Sequence, residues 1–382
     1  MHQIVLVRYD EIALKKQPVR GRFEKILIQN ISQLLTGTKS KIRRKRGRIL
    51  IETPRSEEVA KRATRVPGVA STSPASQTSA SLEKIQDLAV DVVENLLRGE
   101  GTFAVRARRT GSHDFTSQDV SEEVGSKILE RIPSLSVDLD NPDQELFVEV
   151  RGDKAYIFTE KLGGVGGLPV GAQEDSVAIF QGDQASFTAI LLMLKRGSLV
   201  HPLFLNPKSG EEDSLKNQVI DTANQLTNFH SDLKLKIAPF NHITSKISRE
   251  TPKKLMGIIN WRTALRFAER IASKLGAKAI ITGGESVQNS SWTLSDLRMI
   301  EEAVEIPVLR PLIGFENGEI GGIINRMGGF DFPESSNPVY PEVISQNLGE
   351  IKIKKIREIE ESLSIDTLLK QALQNVETHT LG

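Results

Sequence analysis

The chain has 382 residues, 38% hydrophobic and 26% charged, which excludes a disordered chain and leaves room for two or three domains with real cores. No apolar run approaches the ~20 residues needed to span a bilayer. Cysteine is absent, which excludes disulfides, zinc–thiolate sites, persulfide carriers and thiol nucleophiles within this chain.

The net charge of +1 conceals an asymmetry: the first fifty residues carry +10 and the remainder −9. A basic N-terminal module points to an anionic partner, and its centre is the run Lys41-Ile42-Arg43-Arg44-Lys45-Arg46-Gly47-Arg48. A solvated charged face is the alternative reading. The opening Met1-His2-Gln3-Ile4-Val5 has neither a basic n-region nor a cleavage site, so the expectation is a cytoplasmic protein with no membrane attachment.

In chain order, Ile4–Val7 reads as a short strand, Arg22–Leu35 as a helix and Arg48–Ile51 as a strand. Ser56-Glu57-Glu58 starts a helix, and Leu82–Leu97 is strongly periodic. Thr102–Arg108 alternates like a half-buried strand. Glu145–Arg151 and Lys154–Thr159 flank Gly152-Asp153, a hairpin signal. Four glycines in Gly163–Gly167 read as a linker. From about residue 173, strands (Val177–Phe180, Leu199–Leu205, Leu233–Ile237, Ala277–Ile281) alternate with helices (Thr188–Arg196, Asp213–Phe229, Arg262–Leu275), which predicts a doubly wound parallel sheet. Ligands on such sheets sit beyond the carboxyl ends of the strands, here Gln181, Asn206 and the turn at 282–286. The polar segment Gln374–Gly382 is expected to fray.

The segment Gln181-Gly182-Asp183-Gln184-Ala185-Ser186-Phe187 follows a strand and opens a helix, the place where backbone N–H groups and the helix dipole hold phosphate. A phosphate loop is usually rich in Gly and Ser. This turn keeps one of each and adds Asp183, an acid where a phosphate would sit. An ordinary strand-to-helix turn is the alternative.

Leu6-Val7-Arg8-Tyr9-Asp10-Glu11-Ile12-Ala13-Leu14-Lys15 resembles the opening of the tRNA 4-thiouridine synthetases, also called tRNA sulfurtransferases. Phe103–Gly111, Phe115-Thr116-Ser117, Val137–Asp143, Glu149-Val150-Arg151 and the Gly-Gly-Leu-Pro-Val-Gly at 166–171 resemble their THUMP domain. Leu194–Gly197, Thr282-Gly283, Thr293-Leu294 and Pro307–Ile313 resemble their third domain.

The resemblance implies a ferredoxin-like domain at 1–55, a THUMP RNA-binding domain at 56–165 and a pyrophosphatase-loop α/β domain at 173–382. It implies that the first two grip tRNA. The third uses ATP, with Mg²⁺, to adenylate O4 of uridine 8, after which sulfur displaces AMP. Nucleotide-binding candidates carried over are Ile179, Phe180, Gln181, Gly182, Ser186, Phe204, Leu205, Arg262, Gly283 and Trp292. RNA-binding candidates are Lys41, Arg43, Arg44, Lys45, Arg46, Arg106, Arg108, Arg109, Phe115 and Thr116, through phosphate contacts largely without base readout.

The chain departs from the family where the chemistry lies. The family loop Ser-Gly-Gly-x-Asp-Ser is here Gln181 to Ser186, so its aspartate is Ala185 and no catalytic residue is assigned. Trp292 stands where the family has Gln. The family's acceptor cysteine follows a segment resembling Met327–Asp331, and here Pro333–Asn337 carries no thiol. Sulfur must then come from an external donor, a cysteine desulfurase or sulfide. No protein-bound metal is expected, a homodimer remains open, and so does an inactive tRNA-binding paralogue.

Overall fold

The computed structural model describes residues 2–45, 47–96, 100–208, 214–283, 293–330, 332 and 353–382. They fall into two compact units. The first comprises residues 1–15, 35–65 and 69–166, and the second residues 16–34, 66–68 and 167–382.

The first unit is built on one sheet in the order β2-β3-β1-β4-β8-β7-β5-β6, with β9 beside β4. The strands are β1 (His2–Arg8), β2 (Lys41–Lys45), β3 (Arg48–Glu52), β4 (Ser71–Ser79), β5 (Gly101–Thr110), β6 (Leu135–Val137), β7 (Gln144–Arg151), β8 (Lys154–Phe158) and β9 (Leu162–Gly163). In β1, Ile4 to Val7 are all buried, as a strand covered on both faces requires. Lys41 to Lys45 of the basic run form edge strand β2, whose charges suit an edge that must not pair with another chain. Helices α3 (Leu82–Leu96) and α4 (Ser117–Arg131) pack Ile85, Val93, Val120, Val124 and Ile128 against Phe103, Leu146 and Val148. Helix α2 spans Ser56–Ala63.

Strand β4, Ser-Thr-Ser-Pro-Ala-Ser-Gln-Thr-Ser, has no bulky alternation, yet it lies between β1 and β8. Its small hydroxyls are bonded inward: Thr72 Oγ1 donates to the Ala60 carbonyl at 3.0 Å and Ser73 Oγ accepts from Arg8 at 2.9 Å. The glycine run read as a linker is bonded to the backbone leading into β4. Gly164 N donates to the Ala70 carbonyl (2.9 Å) and Gly166 N to that of Val69 (2.8 Å), and a Cβ on Gly164 would collide with the Val69 carbonyl.

The second unit contains α1 (Val19–Leu34) and a sheet in the order β14-β13-β10-β11-β12-β15. Strands β10 (Ser176–Ile179), β11 (Val200–Asn206), β12 (Lys234–Pro239), β13 (Ala279–Ile281) and β14 (Val308–Leu309) are mutually parallel, the doubly wound arrangement expected. The chain runs β10, β11, β12 in one direction and returns to β13 on the other side of β10. The switch point therefore lies between β10 and β13.

The crossovers and flanking helices are α5 (Gln184–Lys195), α6 (Ser214–Gln225), α7 (Asn241–Glu250), α8 (Lys253–Leu275), α9 (Leu294–Glu301), α10 (Asn317–Arg326), α11 (Ile353–Ser362) and α12 (Ile365–Gln374). Val177, Ile179, Leu203 and Leu205 share one core with α7, α8, α11 and α12. The C-terminal segment expected to fray instead forms β15 (Glu377–Thr380), antiparallel to β12, and buries Leu381. Backbone pairing to an open sheet edge outweighs the polarity of its side chains. No described helix is long and apolar enough to cross a membrane.

Candidate nucleotide and RNA sites

The switch point is where the sequence placed its phosphate-type turn. After β10 the chain turns through Gly182 at φ +77°, a left-handed value, and any Cβ there would lie 2.9 Å from Val219 Cγ2. Asp183 caps α5: its Oδ1 accepts from Ser186 N at 2.9 Å, and Ser186 Oγ also donates to it. Ser186 Oγ accepts in turn from Gln181 N at 3.2 Å.

The acid expected to face a phosphate is thus folded onto the helix start, where it occupies the donors a phosphate would use. Burial pushes the Asp183 carboxyl above its ordinary value, against the pull of the two Ser186 donors. One strand away, Thr282 lies at the end of β13, 3% exposed, and its Oγ1 is buried without a hydrogen-bond partner. Gly283 follows, also buried.

The remaining nucleotide candidates separate. Ile179 (2% exposed) and Leu205 (2%) belong to the core beneath α8, and Phe180 and Phe204 are fully buried. Burial of these four side chains leaves only their backbone to meet a ligand. Arg262 is not available: its Nε meets Glu360 at 2.8 Å, one Nη1 bond reaches Glu302 at 2.9 Å, and another reaches the Met299 carbonyl. A guanidinium buried in α8 requires such partners, and α9 and α11 supply them. Trp292 lies outside the described residues. Among the described residues no group of three His, Asp or Glu is arranged to hold a metal.

The RNA candidates also divide by what each side chain already does. Lys41, Arg43, Arg44 and Lys45 are exposed on edge strand β2, with Arg43 paired to Glu52 at 2.9 Å; Arg46 lies outside the described residues. Arg106 is held by Glu145 (2.8 Å) and the Leu139 carbonyl (2.7 Å). Arg109 bonds the Gly111 carbonyl. Thr116 is the N-cap of α4, in a capping box with Asp119, and Phe115 packs on the α3–α4 core and stacks on His113. Arg108 is exposed.

Sequence reasoning missed the cavity beside Arg108. It measures about 640 Å³ and is lined by Arg8, Arg48, Arg108, Lys161, Phe147 and Phe158, among others. At its base Glu149, 6% exposed, faces three guanidiniums: Arg48 Nε at 3.0 Å, Arg8 Nη2 at 3.6 Å and Arg151. One carboxylate against three cations leaves a surplus positive charge. Arg8 Nη2 and Arg48 Nε are buried with no well-aligned acceptor.

Burial lowers the Arg8 and Arg48 pKa values despite Glu149. Burial and the nearby arginines lower that of Lys161, whose Nζ lies 3.3 Å from the centre of the Phe147 ring. Phe147 and Phe158 are stacked, centroids 5.2 Å apart. The signal was present as scattered cations; the sheet order that gathers them was not.

Residues 4–73 match the ThiI ferredoxin-like domain, residues 79–160 the THUMP domain, and residues 171–365 the family described as thiamine biosynthesis protein (ThiI). A probable tRNA sulfurtransferase of Methanosarcina acetivorans is 34% identical over 391 residues, covering 98% of this chain and 92% of that protein. The chain belongs to the tRNA sulfurtransferase (ThiI) family. A second ThiI-family relative, a probable tRNA sulfurtransferase of Acetivibrio thermocellus, is 32% identical over 397 residues, covering 100% of this chain and 99% of the relative.

Among solved structures, a 4-thiouridine synthetase in complex with RNA and bound ATP superposes over 100% of both chains, with a TM-score of 0.86 and 27% identity. PH1313 of Pyrococcus horikoshii covers 85% of this chain and 99% of its own, with a TM-score of 0.68 and 30% identity. The fold is therefore the ferredoxin-like, THUMP and pyrophosphatase-loop combination of the ThiI family.

Proposed function

We propose that this chain binds tRNA through its first unit and acts in tRNA 4-thiouridine synthesis, with ATP taken up at the β10–β13 switch point of its second unit. The observation that carries this reading is the end-to-end match to a 4-thiouridine synthetase solved with RNA and ATP. The exposed cations of β2 and the surplus charge around Glu149 supply the phosphate contacts.

In the reaction, O4 of uridine 8 attacks the α-phosphorus of ATP and pyrophosphate leaves. A sulfur nucleophile then adds at C4 and AMP departs with the oxygen. Ser186 N–H and Ser186 Oγ are the donors at the start of α5 that face the phosphates once Asp183 rotates away. The Thr282 hydroxyl and the backbone at Gly283 border the nucleotide on the β13 side. The sulfur comes from external sulfide, or from an external persulfide whose terminal sulfur joins C4 as a mixed disulfide that a second external thiol then reduces, since the chain has no cysteine.

One observation favours a second reading, a tRNA-binding paralogue that does not adenylate: the Asp183 carboxylate holds both Ser186 donors, and Ala185 supplies no acid in compensation. Calorimetry with Mg-ATP and tRNA, followed by mass analysis of nucleoside 8, separates the two. Thiolation of nucleoside 8 overturns the paralogue. Absence of ATP binding with tRNA binding intact overturns the enzyme. Loss of both overturns the proposal.

A further inference from the structure

Away from the switch point, the second unit has a cavity of about 780 Å³ between α7 and α8, bordered by His242, Ser245, Ser248, Arg249, Met256 and Asn260. Asn260 decides its chemistry. It is 4% exposed, and its Oδ1 is buried without a hydrogen-bond partner. A buried carboxamide oxygen left unpaired disfavours the fold unless something else satisfies it. Asn offers an acceptor and a donor side by side, so its complement is a planar edge with an N–H beside a carbonyl or ring nitrogen. Such edges belong to nucleobases, and paired Asn contacts are an established way to read them.

The rest of the lining agrees. Among the described residues, no Asp or Glu borders the cavity. A cationic ligand such as an ammonium is therefore disfavoured. Arg249 is exposed, makes no ion pair among the described residues, and stands at the rim with Ser245 and Ser248, a donor set suited to a phosphate. Met256 supplies a polarisable thioether for the face of a ring. The volume lies within the range of small-molecule sites. Helix α7 begins directly after β12, and Phe240 N bonds the Asn206 carbonyl at 2.7 Å. This ties the start of α7 to the carboxyl end of β11, the ligand-binding end of such a sheet.

We infer that the α7–α8 cavity is a binding site for a single nucleotide unit, its base edge paired to Asn260 and its phosphate held by Arg249. This rests on the reading of the chain as a tRNA-acting protein only where the nucleotide is one extruded from tRNA; a free nucleoside monophosphate presents the same chemistry.

The test follows the Met256 methyl resonance of the full chain labelled with ¹³C-methyl methionine and assigned with Met256→Leu. UMP, AMP, ribose 5-phosphate, inorganic phosphate and a tRNA transcript are titrated separately. Expected are a saturable shift with a nucleotide or with tRNA, a roughly tenfold weaker response in Arg249→Ala, and none in Asn260→Leu. Because Asn260→Leu replaces an unpaired polar group with an apolar one of similar size, it should melt no lower than the unchanged protein, which separates lost binding from lost folding.

A shift with UMP or AMP but not tRNA assigns the site to free nucleotide, and the converse to RNA; both support it. No shift with any titrant, an undiminished shift in Asn260→Leu, or an equal response to phosphate or ribose phosphate overturns it. tRNA affinity measured on the same sample keeps the two conclusions apart, because a Met256 silent to every titrant while tRNA binds sinks the cavity and leaves the proposed function standing.

Discussion

Asp183→Asn isolates the charge at the phosphate-type turn. Asn caps a helix as well as Asp does, so Ser186 N–H keeps its acceptor and the melting temperature should scarcely move. An oxygen of ATP accepting from the start of α5 would lie about 4 Å from the Asp183 carboxylate. Two unit charges at that separation repel by ~1 kcal/mol in water and ~4 kcal/mol at an effective dielectric of about 20. Asp183 is half-buried, so about 2 kcal/mol is the working value, or about thirtyfold in Kd.

Asp183→Gly should gain more, since it also frees both Ser186 donors. Calorimetry with ATP, with and without Mg²⁺, reads the difference. Burial raises the Asp183 carboxyl, so the affinity of the unchanged protein should climb as pH falls toward the carboxylate range, while Asp183→Asn stays flat. The linked stability has the same sign: the contribution from this group is full below its ordinary pKa and is lost as pH rises through the raised folded value. If both variants bind ATP no more tightly than the unchanged chain, the charge is not what closes this site.

Glu149→Gln leaves Arg8, Arg48 and Arg151 without their shared counter-charge and should cost about 3–5 kcal/mol in denaturant unfolding; a loss below about 1 kcal/mol contradicts the buried-cage account. Burial raises the Glu149 carboxyl, but the combined pull of Arg48, Arg151 and Arg8 outweighs it and holds the net value low. Its contribution is therefore present above the ordinary Glu pKa and lost as pH falls through the folded value, an acid limb that Glu149→Gln should lack. Replacing Lys41, Lys45 and Arg108 by Ala should leave the fold intact and reduce the slope of log K against log salt by roughly 0.7–0.9 for each phosphate no longer neutralised. An unchanged slope makes these residues a solvated face. Arg262→Met alone should destabilise by about 3–5 kcal/mol because it leaves buried Glu360 with only the longer Arg266 pair at 3.7 Å, and Arg262→Met with Glu360→Leu should recover most of the loss; no recovery argues against an ion-pair role.

The parallel sheet of the second unit was legible because apolar runs and periodic stretches alternate there, and β10, β11, β12 and β13 fall within two residues of where the pattern put them. Strand β4 was not legible, because Ser, Thr and Pro in a row signal a loop. It is a strand because β1 and β8 offer it backbone partners on both sides, which no local pattern records. The same limit governed the sites. Gly182 and Ser186 lie at the switch point as the motif implied, but the direction of the Asp183 side chain depends on hydrogen bonds three residues away. Arg262 resembled a nucleotide contact, yet its partners Glu302 and Glu360 lie 40 and 98 residues further along the chain. The cage around Glu149 joins residues from β1, β3 and β7, and only the strand order brings them together.

The strand order of the first unit also sets a length. From β2, with its row of exposed lysines and arginines, to β5, which bears Arg108, there are six inter-strand steps in one continuous hydrogen-bonded sheet. At about 4.8 Å per step that is roughly 29 Å, shortened somewhat by twist. Among the described residues each strand from β2 to β5 is hydrogen-bonded to the next, so the spacing is built into the fold. If β2 and Arg108 both meet the RNA, as the proposed function has it, the sheet is in effect a gauge: a polyanion whose charged stretches match the interval would be gripped at both ends at once, and a shorter one would satisfy only one end at a time. Selection by span in this way would need no base to be read.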